Sequence, residues 1–253
     1  MSKKSFNFVA VILATVTVIG LSSCKDKVYY SCDPTIDAVI RQNLPKYEGM
    51  TREEWKKLPD SLKRPAFRAM TTELKKEFWM GKQKEILSSK IFNDAEKKHI
   101  SKLYDYLLSI DGIYTDKYKD GSLEMQKLFE YYKEWAIYGL DNFKWSVVDI
   151  FLIAEDGEEL TEDYIEHVKQ NSKPATELEQ AGGSDCNCSW DLGCMDSNST
   201  CEKIPCRDTD WGCKFLFMGS CTKKCKGPFT MNGQVVDAAT YSNQKELLEY
   251  MLK

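Results

Sequence analysis

The sequence predicts a mainly α protein, with a helical N-terminal domain followed by a small, loop-rich, disulfide-rich C-terminal module. Three observations carry this expectation. Apolar residues recur at helical spacing from Asp33 to Gln170, and several of the runs open on capping sequences. Eight of the ten cysteines crowd into the 40 residues from Cys186 to Cys225. An even count at that density is a cross-linking framework wherever the compartment is oxidising. Between the two, residues 171–185 lose the helical pattern and carry Pro174 and Gly182-Gly183-Ser184, the composition of a linker.

The first residues bear on the compartment. Lys3 and Lys4 give a positive start, Phe8–Leu21 is uncharged and apolar, and Leu21-Ser22-Ser23-Cys24 closes the segment. The apolar run is short for a bilayer span and suits the core of a secretory signal. Leu-Ser-Ser-Cys resembles a bacterial lipobox, which implies cleavage of a signal peptide over 1–23 and acylation of Cys24. Several acyl chains on one cysteine anchor a protein stably. The expectation is therefore an exported, lipid-anchored chain of the bacterial cell envelope, at the outer membrane or cell surface. Residues 24–32 are its anchor and tether, and the covalent lipid on Cys24 is its one non-protein group. Cys32 stands apart from the C-terminal cluster and reads as a free thiol or a partner for another chain.

The helical domain spans 33–170. Asp33-Pro34 is a cap with proline in the first turn, and Ile36, Val39, Ile40 and Leu44 form one stripe that Pro45 ends. Thr51–Glu54 has capping-box spacing ahead of Trp55 and Leu58. Ala66, Met70, Leu74 and Phe78 predict one helix from about Pro65 to Leu87. Asn93–Glu96 is a second capping box, and Ile100, Leu103, Tyr104, Leu107 and Leu108 follow on one face. Asp111-Gly112 breaks that helix, and Asp120-Gly121-Ser122 opens the next, with Met125, Leu128, Phe129, Tyr132, Trp135 and Ala136 on one side. Phe143–Ile153 reads equally as a buried helix end or a strand. Thr161–Gln170 is a last short helix. Roughly 140 residues suffice to bury a core without cross-links, and this stretch contains no cysteine.

Composition narrows the function. The formal net charge is −4 with both signs interspersed, so no basic patch is present to neutralise phosphates, and nucleic acid is not an expected partner. His99 and His167, the two histidines, read as exposed helix residues rather than metal ligands or acid–base groups. Tyr131, Tyr132, Trp135 and Tyr138 could line a groove, but aromatics at helical spacing read first as core. No carboxylate pair, phosphate loop, nucleophile elbow or His-x-x-x-His sequence is found, so no enzymatic activity is expected.

The module, 186–226, contains Cys186, Cys188, Cys194, Cys201, Cys206, Cys213, Cys221 and Cys225. It has no Cys-x-x-Cys and no histidine, which disfavours zinc and redox catalysis and leaves structural disulfides. So small a core supplies at most ~3–5 kcal/mol, and a bridge typically adds ~2–4. Spacing does not choose the connectivity, although Cys186 and Cys188 are too close to bond each other without strain. Phe215-Leu216-Phe217-Met218 is the one apolar run in the module. With Lys214 before it and Lys223 and Lys224 after it, the run reads as a membrane- or partner-contacting edge, or else as the module's central strand.

The Cys-x-Cys opening with Trp190, the eight cysteines and their C-terminal placement resemble the fulvocin C-related bacteriocin-like proteins. The resemblance covers about Cys186–Cys225. It implies a non-enzymatic antibacterial module directed at the envelope of a competing bacterium, with an immunity partner that the sequence does not name. Two features depart from a free peptide of that kind. The module lies behind a lipid anchor and a helical domain, and an extension over 227–253 follows it. There Asn243–Glu246 has capping-box spacing and Leu247, Leu248, Met251 and Leu252 form a helical stripe. Glu177–Gly183 also resembles a double-glycine leader, off by one residue, though a flexible linker is the simpler reading. The other functional class is a cell-surface binding lipoprotein without toxicity.

Overall fold

A computed structural model describes residues 28–171, 199–202, 209–221, 224–228, 230–231, 234–238 and 240–252. The order begins with α1 (Pro34–Gln42), α2 (Leu44–Glu48), α3 (Arg52–Trp55), α4 (Asp60–Ala69) and α5 (Thr72–Ser88). It continues with α6 (Asp94–Leu108), α7 (Leu123–Phe143), α8 (Val147–Ala154) and α9 (Glu162–Asn171). Then come the short strands β1 (Ser199–Glu202), β2 (Thr209–Cys213), β3 (Gly219–Cys221), β4 (Lys224–Pro228), β5 (Thr230–Met231) and β6 (Gln234–Val235), and finally α10 (Gln244–Met251). The chain is mainly helical, with a small strand-and-loop region near its C-terminus. The strands pair in three antiparallel ribbons, β1 with β4, β2 with β3 and β5 with β6.

Capping chemistry sets most helix starts. Asp33 accepts from the amides of Thr35 and Ile36 at 2.7 and 3.2 Å, and Thr51/Glu54, Asn93/Glu96 and Ser146/Asp149 form reciprocal capping boxes. Each such cap is worth about 1 kcal/mol, because it satisfies amides that the helix leaves unpaired. The Ser146 box settles the ambiguous stretch. Val147–Ala154 is a helix in which every residue but Asp149 is buried, which explains why its sequence shows no polar face. Two boundaries differ from the periodicity. The predicted Pro65–Leu87 helix is two helices, since Met70 turns extended (φ −56°, ψ 150°) and Thr71 caps α5 by accepting from the Leu74 amide. Pro65 lies inside α4. Pro45 does not end the first stripe but sits in the first turn of α2.

Among the described residues, one large hydrophobic core extends from Ile40 in α1 to Leu252 after α10. α1 and α2 pack on α4, α5 on α6, α6 on α7, and α10 on α7 and α8. The C-terminal helix thus closes on the helical domain, as its stripe allows, with Leu247 and Leu248 fully buried. Gln244 fastens it by accepting from the Val147 amide at 2.7 Å. The strand region joins the same core, because β2 packs on α4 and the turn after β2 packs on α8. At the other end, residues 28–33 are strapped down: the Tyr30 amide donates to Asp37 at 2.8 Å and Arg41 donates to Val28 O.

Candidate functional site

The proposed contact run is the first place to look. Strands β2 and β3 are joined by the Cys213–Cys221 disulfide, and between them Phe215–Phe217 forms a 3-10 turn. This turn enters the aromatic core of the helical domain. Phe217 lies within 5.0 Å, centroid to centroid, of both Phe67 and Trp79, and packs also on Trp55 and Phe78. Phe215 stacks on Tyr132 at 4.7 Å. Phe215, Leu216 and Met218 are 0% exposed and Phe217 is 2%. The expectation of a membrane- or partner-contacting edge at Lys214 and Phe215–Met218 is therefore corrected. These residues are a plug in the helical core, and they do not form a strand of a separate module either. An apolar tetrapeptide between lysines looks the same in sequence whether it faces lipid or fills a hole between helices.

The plug is held against its own backbone strain. Lys214, Leu216 and Phe217 have φ of 63°, 48° and 53°, a region costing non-glycine residues of order 1–3 kcal/mol each. Packing and polar contacts over-determine the conformation. Tyr114 donates its hydroxyl to Leu216 O at 2.8 Å. Lys214, 5% exposed, pairs with Asp120, whose other oxygen accepts from the Ser220 amide at 2.9 Å. Arg64 donates to Gly212 O. Arg68 bonds Trp211 O through Nε, Tyr30 O through Nη1 at 2.6 Å, and Cys221 Sγ through Nη2 at 2.8 Å. Gly212 (φ 113°) is required there, because a Cβ would lie 2.8 Å from Arg68 Nε. One guanidinium thus ties the N-terminal strap, α4 and the plug together.

The cysteines divide by what is described. Cys213 and Cys221 are bridged. Cys201 and Cys225 face one another as register partners of β1 and β4, but their side chains, with Cys186, Cys188, Cys194 and Cys206, lie outside the described residues. So do Cys24, Lys223, the side chain of Lys224 and the linker with Gly183. Cys32 corrects the expectation of a thiol standing apart. It is disulfide-bonded, to a cysteine whose side chain is not among those described, and it packs against Cys213 and Cys221 in a small sulfur cluster. The segment that leads into α1 is therefore cross-linked.

Among the buried polar groups that the sequence did not reveal are His99 and Lys82. His99 is buried rather than exposed. Its ring stacks on Trp135 and Tyr138 at 5.4 and 4.6 Å, and its Nε2 lies 3.0 Å from Trp135 O. Burial lowers its pKa. Lys82 is 0% exposed, and burial pushes its pKa down to about 8 against the field of Asp156. It donates to Glu158 O, while Arg52 donates to Gly157 O at 2.9 Å and pairs with Glu85. These cations clamp the 155–159 turn, where Gly157 is required because a Cβ would lie 2.7 Å from both Phe78 and Trp55. The partners of these cations are backbone carbonyls and carboxylates of the fold itself, so the contacts they make are structural. Among the described residues no group of three His, Cys, Asp or Glu side chains could hold a metal, and no helix is long and apolar enough to cross a membrane.

One surface groove, of about 860 Å³, lies between the end of α6, the first half of α7 and the end of α10. It is lined by Tyr106, Leu123, Gln126, Lys127, Phe129, Glu130, Tyr131, Glu134 and Leu252. The four α7 aromatics that the sequence offers as groove candidates, Tyr131, Tyr132, Trp135 and Tyr138, thus separate by position. Tyr132 and Trp135 are core, Tyr138 is exposed beside His99, and Tyr131 faces the groove. Helical spacing could not make this division, because Tyr106, the other wall, comes from a different helix. Comparison with protein-family models, curated proteins and solved structures finds no match for the chain.

Proposed function

We propose that the chain is a lipid-anchored protein of the bacterial envelope that works by non-enzymatic binding, with its cysteine-rich segment built into the body of the protein. Cys24 bears the lipid in this reading. The observation that supports it most is the burial of Phe215–Met218 among Trp55, Phe67, Phe78, Trp79 and Tyr132. A peptide released by cleavage near Gly183 would expose four large apolar side chains at a cost of roughly 1.5–3 kcal/mol each, and would leave a matching hole in the helical domain. The α10 contacts with α7 and α8 add a second attachment.

The antibacterial reading draws on a specific observation too, the eight-cysteine pattern and its resemblance to fulvocin C-related proteins. In that case the segment acts while rooted in the tethered chain, and only its part outside the plug is available to a target envelope. The mass of the mature species on cells tests the proposal. The expected result is one intact chain carrying lipid, with palmitate incorporation lost in Cys24→Ser. A dominant fragment beginning near Ser184, or labelling that survives the substitution, would overturn it.

A further inference from the structure

We infer that the groove between α6, α7 and α10 is a binding site for a glycan containing N-acetylhexosamine units. The fold buries most of its large aromatics, yet Tyr106 is 43% exposed and stands against Tyr131 with ring centroids 4.2 Å apart and planes 42° apart. The Tyr131 hydroxyl is engaged with Lys102 O at 3.2 Å, which fixes that ring against Tyr106 and leaves the exposed Tyr106 ring as the contact surface. A sugar ring presents a patch of C–H groups on one face and hydroxyls round its rim. An exposed aromatic face meets the first, and polar side chains at its edge meet the second.

The rim has that chemistry. Gln126, Glu130 and Glu134 follow one another at i, i+4 and i+8 along α7, and Leu123, Lys127 and Tyr131 form the adjacent row. The first row offers carboxylates that accept from two neighbouring hydroxyls at once, and an amide that both donates and accepts. Lys127 adds a donor. Leu123, with the buried Phe129 and Leu252 behind it, supplies apolar surface for an acetamide methyl, while Lys127 can donate to its carbonyl and the Gln126 amide oxygen can accept from its N–H. The volume lies within the usual range of small-ligand sites.

Charge and pattern disfavour other occupants. Two carboxylates against one ammonium give too little positive charge for a polyanion and too little negative charge for a strongly basic partner. A docking helix needs an uninterrupted apolar stripe, and here polar side chains interrupt it at every turn of α7. Position agrees as well. Val28 is four residues from Cys24, so an acylated chain enters the fold within about 14 Å of its lipid. It enters beside α1, which packs on α2 and α4, whereas the groove helices pack on α5, α8 and each other. The tether and the groove are thus carried by different helices.

This inference rests on the reading of a tethered binding protein, and the two fail separately. The full mature chain is titrated with the β-1,4 tetramer of N-acetylglucosamine by calorimetry, alongside the glucose tetramer and a lysine-rich peptide. Saturable binding of the acetamido glycan is expected, weakened at least about tenfold by Tyr106→Ala and by Glu130→Gln and retained in Tyr106→Phe, with unchanged far-UV circular dichroism throughout. No binding at millimolar glycan, equal binding of the glucose tetramer, preference for the peptide, or indifference to Tyr106→Ala would each overturn the site. Those results leave palmitate labelling and the intact mass untouched, and it is on those two that the tethered reading stands or falls.

Discussion

Lys82 shows how the core tolerates a charge that it does not welcome. Its ammonium is wholly buried, and the carbonyl of Glu158 and the field of Asp156 only partly replace water. The folded-state pKa is lowered from 10.5 to about 8, so between these values the unfolded chain holds a proton that the folded chain has released. Stability should therefore rise as pH increases from about 8 towards 10.5, by at most about 3 kcal/mol for this group. Urea unfolding of the protein and of Lys82→Met across that window should show a difference whose pH slope belongs to Lys82. Parallel slopes would contradict the assignment. His99 works in the same sense at lower pH. Its stabilising contribution is complete above 6.5 and is lost as pH falls through its depressed folded value.

The element that matters most is the loop from Cys213 to Cys221. Its disulfide closes a short loop, its turn carries three strained residues, and its aromatic tip fills the space between α3, α4 and α5. The double variant Cys213→Ala/Cys221→Ala should lose about 2–3 kcal/mol, the entropy that so small a loop withholds from the unfolded chain. It should remain folded, because Lys214–Asp120 and the ring contacts persist. Equilibrium urea unfolding measures this, and an unchanged midpoint would mean that the loop is pinned by packing alone. The helices around it were largely legible in sequence. The caps at Asp33, Thr51 and Asn93 act as their residue types require, and the stripe of α6 is the buried face. The break at Thr71 was not legible, since that cap has leucine rather than an acid three residues on. Nor was the plug, because Phe215–Met218 shows its destination only once the hole between three helices exists. Of the groove, Tyr131 was visible as a candidate, while Tyr106 and Leu252 were joined to it by tertiary packing alone.

At the scale of the whole molecule, one core among the described residues draws on the helices from α1 onward, on the 215–218 plug and on α10. Cys32 is cross-linked beside Cys213 and Cys221, Arg68 binds the N-terminal strap and the plug, and α10 seals α7 against α8. A segment that resembles a detachable peptide is thereby made part of the protein's stability, which fits a tethered binding protein better than a precursor that releases its C-terminus. The most direct measurement is the unfolding of Phe217→Ala followed by far-UV circular dichroism, which reports the helices rather than the cysteine segment. Removing this ring from its cage of Trp55, Phe67, Phe78 and Trp79 should destabilise the helical transition by about 3–5 kcal/mol. A helical transition that stays within ~0.5 kcal/mol of the parent, as for a substitution outside the core, would show that the plug and the helices fold apart and would contradict the account.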